Sequence, residues 1–235
     1  MSAPQKAVAT NQLLDALPGR ERNRVFAGSE AVELEFGKSI YLPGRQLKYA
    51  YFPLTCLISL IVPIEGSAGL EVGLIGNEGM FGVPLALGVD DSSLRAVVQG
   101  TGSALRMSAA TFRAELIRCK TLHRVVDRFA FVHLGQLAQT AGCTRFHVVE
   151  ARLARWLLMT QDRMHADAFH VTQEFLALML GVRRVGVTRA ARSLQKLGLI
   201  RYSRGDITVL DRRGLVASAC ACYAADRDAY ARILG

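Results

Sequence analysis

Between Arg183 and Arg204 the chain carries seven basic residues and no acidic one. Such side chains bind polyanions, because guanidinium groups fork onto phosphate oxygens or onto the acceptor edge of guanine. A helix laid over residues 182–197 sorts them. Val187, Ala190, Ala191, Leu194 and Leu197 fall on one arc; Arg184, Thr188, Arg189, Arg192, Gln195 and Lys196 fall on the other. A solvated helix ordinarily mixes its charges, since opposite charges at i,i+4 stabilise it and like charges do not. Arg184, Thr188 and Arg192 stack at spacing four with no acid among them, so this face needs an external anion.

The flanking elements position that helix. Thr172 can cap a preceding helix, with Glu174 in its first turn and Phe175, Leu176, Leu178, Met179 and Leu180 as its apolar content; Gly181 permits the turn. Downstream, Leu199–Tyr202 and Ile207–Leu210 read as two strands joined by a turn carrying Arg204. The order is that of a winged helix-turn-helix. Its second helix would enter the major groove of double-stranded DNA while the wing and helix N-termini meet phosphates. The competing reading is a basic, solvated helical hairpin. Charge placement favours DNA: residues 143–235 hold 15 basic and 8 acidic side chains, against 14 and 12 in residues 1–142.

The first hundred residues read mostly as β: short runs at Ala31–Phe36, Ser39–Leu42, Tyr49–Phe52, Cys56–Val62, Leu70–Ile75, Ala96–Gln99 and Ala104–Met107, separated by Gly- and Pro-rich turns. This pattern predicts a small sandwich or barrel, preceded by short helices near Asn11–Leu17 and Gly19–Phe26. From Ser108 a long helical pattern runs to about Thr140, with a seam of Leu122, Val125, Phe129 and Val132. That seam is covered either by a domain of the same chain or by a second copy; the reading taken is a homodimer joined along it. Gly142, with Thr144 and Arg145, marks the expected hinge, and Phe146–Met164 a further amphipathic helix.

These parts together resemble the Crp/Fnr (cyclic AMP receptor protein and fumarate-nitrate regulator) family of transcriptional regulators. The resemblance rests on Thr172–Ala177, Leu180–Arg184, Arg189–Leu194 and Leu197–Ile200, and on the order of the elements. It implies an α+β fold: a cyclic-nucleotide-binding-like β-roll over residues 1–108, a dimerisation helix and hinge over 109–142, and a winged helix-turn-helix over 143–235. It also implies a palindromic operator and RNA polymerase as partners. By the same resemblance Arg184 and Arg189 read base edges. Val185 stands where the family often has a glutamate, so it meets a thymine methyl rather than accepting from cytosine. Thr188 permits close approach, and Thr172, Arg183, Arg192, Lys196 and Arg204 complete the expected DNA surface.

The sensor half departs from the family. Glu78 resembles the carboxylate that holds a cyclic nucleotide's ribose, but the Arg-Ser/Thr-Ala triplet that holds its phosphate is replaced by Ser93-Leu94-Arg95-Ala96. The expectation is an effector other than cyclic AMP, or none; the alternative is a cyclic-nucleotide response through Glu78 and Arg95. A third reading, a β-roll module that regulates another protein without binding DNA, leaves the basic helix unexplained.

An enzyme is not expected. Gly37-Lys38-Ser39 lacks the earlier glycine of a phosphate loop, Val32 standing there, and no His-Glu-x-x-His or Gly-x-Ser-x-Gly occurs. His123 and His133 read as residues of the helix surface or seam. Cys56, Cys119, Cys143, Cys220 and Cys222 show no disulfide or zinc-ribbon spacing, so no metal or cofactor is expected; a redox role for Cys220 and Cys222 stays open. Met1–Lys6 leads into no signal-peptide core, and no apolar run is long enough to span a bilayer; the expectation is a cytoplasmic protein with no membrane partner.

Overall fold

The computed structural model describes residues 10–66 and 69–235; Met1–Lys6, read above for targeting, lie outside them. Two short helices, α1 (Gln12–Asp15) and α2 (Gly19–Ala27), lead into seven strands: β1 (Glu30–Leu34), β2 (Ser39–Tyr41), β3 (Tyr49–Pro53), β4 (Leu57–Val62), β5 (Leu70–Ile75), then, after helix α3 (Val83–Ala86), β6 (Arg95–Gly100) and β7 (Gly102–Ser108). They form two antiparallel sheets, β1-β7-β3 and β2-β6-β4-β5. The expected strands are all present. Helix α3 was not anticipated.

The long helical pattern divides in two, α4 (Ala109–Arg118) and α5 (Lys120–Phe146). Ser108 caps the first by accepting from the Thr111 amide, as its position suggested. Cys119, extended at φ −116° and ψ 92°, makes the break, and its Sγ accepts from the Leu122 amide. Then α5 runs for 27 residues straight through Gly142, Thr144 and Arg145. The expected hinge is therefore displaced to the extended pair His147–Val148. A glycine inside a helix costs only about 1 kcal/mol relative to alanine, too little to end one held by packing.

The C-terminal part comprises α6 (Val149–Met164), β8 (Ala168–His170), α7 (Gln173–Leu180), α8 (Arg184–Lys196), β9 (Ile200–Ser203), β10 (Asp206–Val209), α9 (Arg212–Ser218) and α10 (Cys222–Leu234). β10 lies between β8 and β9, so the wing is a three-stranded sheet rather than the expected hairpin.

Strand β4 explains how the halves meet. Leu57 through Ile61 are all buried, although a half-exposed strand would alternate. Ile58 and Leu60 point into the β-roll core with Phe52, Phe112 and Ile75. Leu57 and Ile61, with Leu74 and Val97, face the other way and join one apolar core with Leu153, Trp156 and Leu157 of α6. The winged domain thus docks on the outer face of the four-stranded sheet. Among the described residues no helix is long and apolar enough to cross a membrane.

Candidate nucleic-acid interface

The turn between α7 and α8 forms as its residues dictate. Thr172 Oγ1 accepts from the Phe175 amide at 3.1 Å, and Gly181 takes the left-handed conformation, φ 59°. Leu176, Met179 and Leu180 of α7 and Val187, Ala190, Ala191 and Leu194 of α8 are buried together. Leu197 is the exception to the expected inner arc: it follows the helix and is 60% exposed.

Arg183, Arg184, Val185, Arg189, Arg192 and Lys196 are exposed on the outward side of α8, and Thr188 is half-buried beside them. Arg183 occupies the N-cap position without a side-chain cap, which leaves the positive end of the helix open to an anion. The expectation that no acid compensates this face is corrected at one point: Glu174 lies 3.4 Å from Arg184, both side chains well exposed. Exposed pairs of this kind contribute about 0–1 kcal/mol and yield readily to a phosphate. Among the described residues, Arg183, Arg189, Arg192, Lys196 and Arg204 have no ion-pair partner.

The wing tip is a two-residue turn, Ser203 pairing with Asp206 across Arg204 and Gly205. Both turn residues have positive φ, 52° and 93°, the conformation that tight hairpins require. An arginine there is held against its preference. It stands across a groove of about 430 Å³ from Arg184 and Arg192, with Thr172 and Tyr202 also in its walls. One concave surface thus combines three guanidinium groups with hydroxyls.

The residues proposed for an effector fare differently. Glu78 is already engaged by the protein: its Oε1 accepts from Arg163 Nε of α6 at 2.7 Å, with both side chains largely covered, and its oxygens also accept from the Gly76 amide. Arg95 lies on β6 opposite Ile61 of β4. A cleft of about 370 Å³ does open between the β-roll and α5, but neither residue lines it. Its walls are Ile75, Met80, Phe81, Leu94, Leu134 and their apolar neighbours. The titratable group in that lining is His133, whose burial pushes its pKa down to about 4, so it is neutral. Of the surface and seam readings, His133 takes the seam, buried and stacked on Phe129, and His123 the surface, exposed 3.7 Å from Asp127.

The seam named for the dimer is also corrected. Leu122, Phe129 and Val132 are buried within the chain, and Val125 packs partly against the same β-roll core. Phe129 sits so close over Gly79 that a Cβ there would come within 2.3 Å of its ring. Phe131 and Leu134, in contrast, are 64% and 65% exposed. With Ala138 and Ala141, also exposed, they form a second seam at spacings of three and four. Periodicity showed an apolar stripe but not which of two stripes faces outward.

Residues 151–218 match the model of the Crp-like helix-turn-helix domain. No curated protein matches the chain. Among solved structures, the fold is similar to a putative transcriptional regulator of the Crp/Fnr family from Eubacterium rectale: 14% identity, 88% of this chain and 96% of that one, TM-score 0.68. It is similar also to the c-di-GMP responsive global regulator CLP of Xanthomonas campestris, at 16% identity over 82% and 99% of the two chains, TM-score 0.67. FixK2 from Bradyrhizobium japonicum matches at 14% identity over 82% and 98%, TM-score 0.68.

Proposed function

We propose that this chain, whose residues 151–218 match the Crp-like helix-turn-helix domain and whose fold is similar to that of Crp/Fnr regulators, is a sequence-specific transcriptional regulator of the Crp/Fnr type that binds a palindromic operator as a homodimer. It is not an enzyme. The observation that carries the reading is the exposed face of α8, where Glu174 alone among the described residues pairs with a cation, and two of those cations, Arg184 and Arg192, converge with Arg204 on one groove. Laid in a major groove, α8 presents Arg184, Val185, Thr188 and Arg189 to base edges, while Arg183, Arg192, Lys196 and Arg204 hold phosphates. The subunits join along the exposed Phe131, Leu134, Ala138 and Ala141 of α5, and the half-sites of such a dimer's operator lie about 34 Å apart, one helical turn of DNA. RNA polymerase is the protein partner that the family resemblance implies.

The effector, if there is one, enters the cleft between the β-roll and α5 and is largely apolar. A cyclic nucleotide would bring its phosphate into walls that hold no cation, where a buried charge is uncompensated. The test of DNA recognition is a salt titration on operator and random duplexes. Arg184→Ala loses about 1–3 kcal/mol per half-site on operator alone, whereas Arg204→Ala weakens both duplexes alike and lowers the salt slope by about one unit per phosphate contact. Equal losses on both duplexes for Arg184→Ala would refute its assignment to base readout.

A further inference from the structure

The hinge between α5 and the winged domain gathers four side chains that the DNA-binding reading does not use. Cys143 and His147 stand one helical turn apart at the end of α5; Cys220 and Cys222 flank Ala221 where α9 gives way to α10. The fold brings the pairs together across more than seventy residues. Cys143 Sγ is 3.5 Å from Cys220 Sγ, and Cys222 Sγ is 3.5 Å from His147 Nδ1. All four ligand atoms lie within 4.8 Å of one another; the three cysteines are buried and the histidine half-buried. The expectation that Cys220 and Cys222 lack further ligands is therefore corrected. The overlooked signal was Cys-x3-His on one face of a helix.

We propose that Cys143, His147, Cys220 and Cys222 form a tetrahedral zinc(II) site that clamps α5 to the winged domain. The dimensions agree. Zinc–sulfur bonds of about 2.3 Å and zinc–nitrogen bonds of about 2.1 Å at tetrahedral angles set sulfur–sulfur edges near 3.8 Å and sulfur–nitrogen edges near 3.6 Å. The closest edges here are already 3.5 Å, and none exceeds 4.8 Å, about 1 Å beyond the edge of a zinc tetrahedron. A disulfide would need sulfurs about 2.05 Å apart, and all the cysteines are free thiols.

Packing does not account for the cluster. The three thiols form a separate group with Ala151 alone packed against it, outside both large cores. The surroundings are those of a thiolate site. Gln139 Nε2 donates to Cys222 Sγ at 2.9 Å, an outer contact of the kind that orients a metal-bound sulfur. Arg155, anchored on Asp226 at 2.6 Å, offers positive charge beside Cys143. Three thiolates and one neutral imidazole around a divalent ion leave one net negative charge, which that guanidinium offsets. Soft sulfur donors in tetrahedral array select zinc over the hard divalent cations.

The experiment uses the full chain, purified under reduction and dialysed with zinc, with elemental analysis as readout and cobalt(II) as a spectroscopic substitute. The expected result is one zinc per chain and, with cobalt, thiolate charge-transfer and tetrahedral ligand-field bands. Cys143→Ser and Cys220→Ser lose the metal, whereas Cys56→Ser, in the β-roll core, keeps it. Gln139→Ala, which removes no ligand, weakens cobalt binding by about tenfold or more. Wild-type protein that retains no zinc and gives no cobalt–thiolate bands would overturn the proposal whatever the variants do. So would zinc that survives both ligand substitutions, or a Cys143–Cys220 disulfide found by mass mapping of a parallel preparation alkylated at lysis without reductant.

Discussion

Replacing Glu78 with alanine separates a structural carboxylate from an effector-binding one. Its partner Arg163 is 2.7 Å away, and their side chains are 11% and 9% exposed, so the substitution strands a guanidinium between the β-roll and α6. Removing one member of a buried pair costs about 3–5 kcal/mol, mostly the desolvation of the charge left behind. For a chain of 235 residues the unfolding entropy is about 0.5 kcal/mol/K, so a loss of 3 kcal/mol lowers Tm by about 6 °C. The assay is calorimetric unfolding of wild type, Glu78→Ala, Arg163→Met and the double variant, without added ligand. The double variant should recover much of the loss, because it leaves no uncompensated charge. A Glu78→Ala protein that melts with wild type, or singles that simply add, would refute the argument.

Leu134→Glu should give a folded monomer by sedimentation at micromolar concentration, because it places like charges across the two-fold of the outward seam. Phe129→Glu instead should unfold the β-roll, since Phe129 is fully buried there. Burial pushes the Glu71 pKa up to about 7, so its neutral form suits the fold; that stability is complete below the ordinary value of 4.5 and is lost as pH rises through 7. Glu71→Gln should therefore be more stable than wild type at pH 8, and denaturant melts showing the same gap at pH 5 as at pH 8 would contradict this. The local geometry agrees: Ser59 Oγ lies against both Glu71 Oε2 and Gln99 Oε1, and one hydroxyl proton serves both only if Glu71 brings its own. Calorimetry with cyclic AMP should show no binding up to about 100 μM, whereas a micromolar isotherm would return Arg95 to the effector site.

What was legible in the sequence was what local rules determine. Strand positions followed from alternation and turn residues, the α7–α8 corner from Thr172 and Gly181, and the exposed cationic face of α8 from charge segregation along one helix. What was not legible depended on partners distant in sequence. Nothing near Glu78 announces Arg163, 85 positions on, and nothing near Cys220 announces Cys143. Helix α5 was misjudged for a related reason. It carries two apolar stripes, and the one that matched the seam pattern first is consumed by Gly79 and the β-roll. The wing's third strand was missed because β8 spans only Ala168–His170, too short to show any period.

The two-sided burial of β4 bears on how this protein can be rebuilt. Regulators made of a sensor and a reader invite exchange of one part for another at the connecting loop, here His147–Val148. In this chain such a graft would cut through a party wall. Leu57, Ile61, Leu74 and Val97 belong to the β-roll by sequence but to the winged domain by contact. A foreign reader would face those four side chains unmatched, and a transplanted reader would leave Leu153, Trp156 and Leu157 without cover. The transferable unit is the winged domain together with the outer face of that sheet, and a chimera that carries both across should stay soluble where a loop-to-loop graft aggregates.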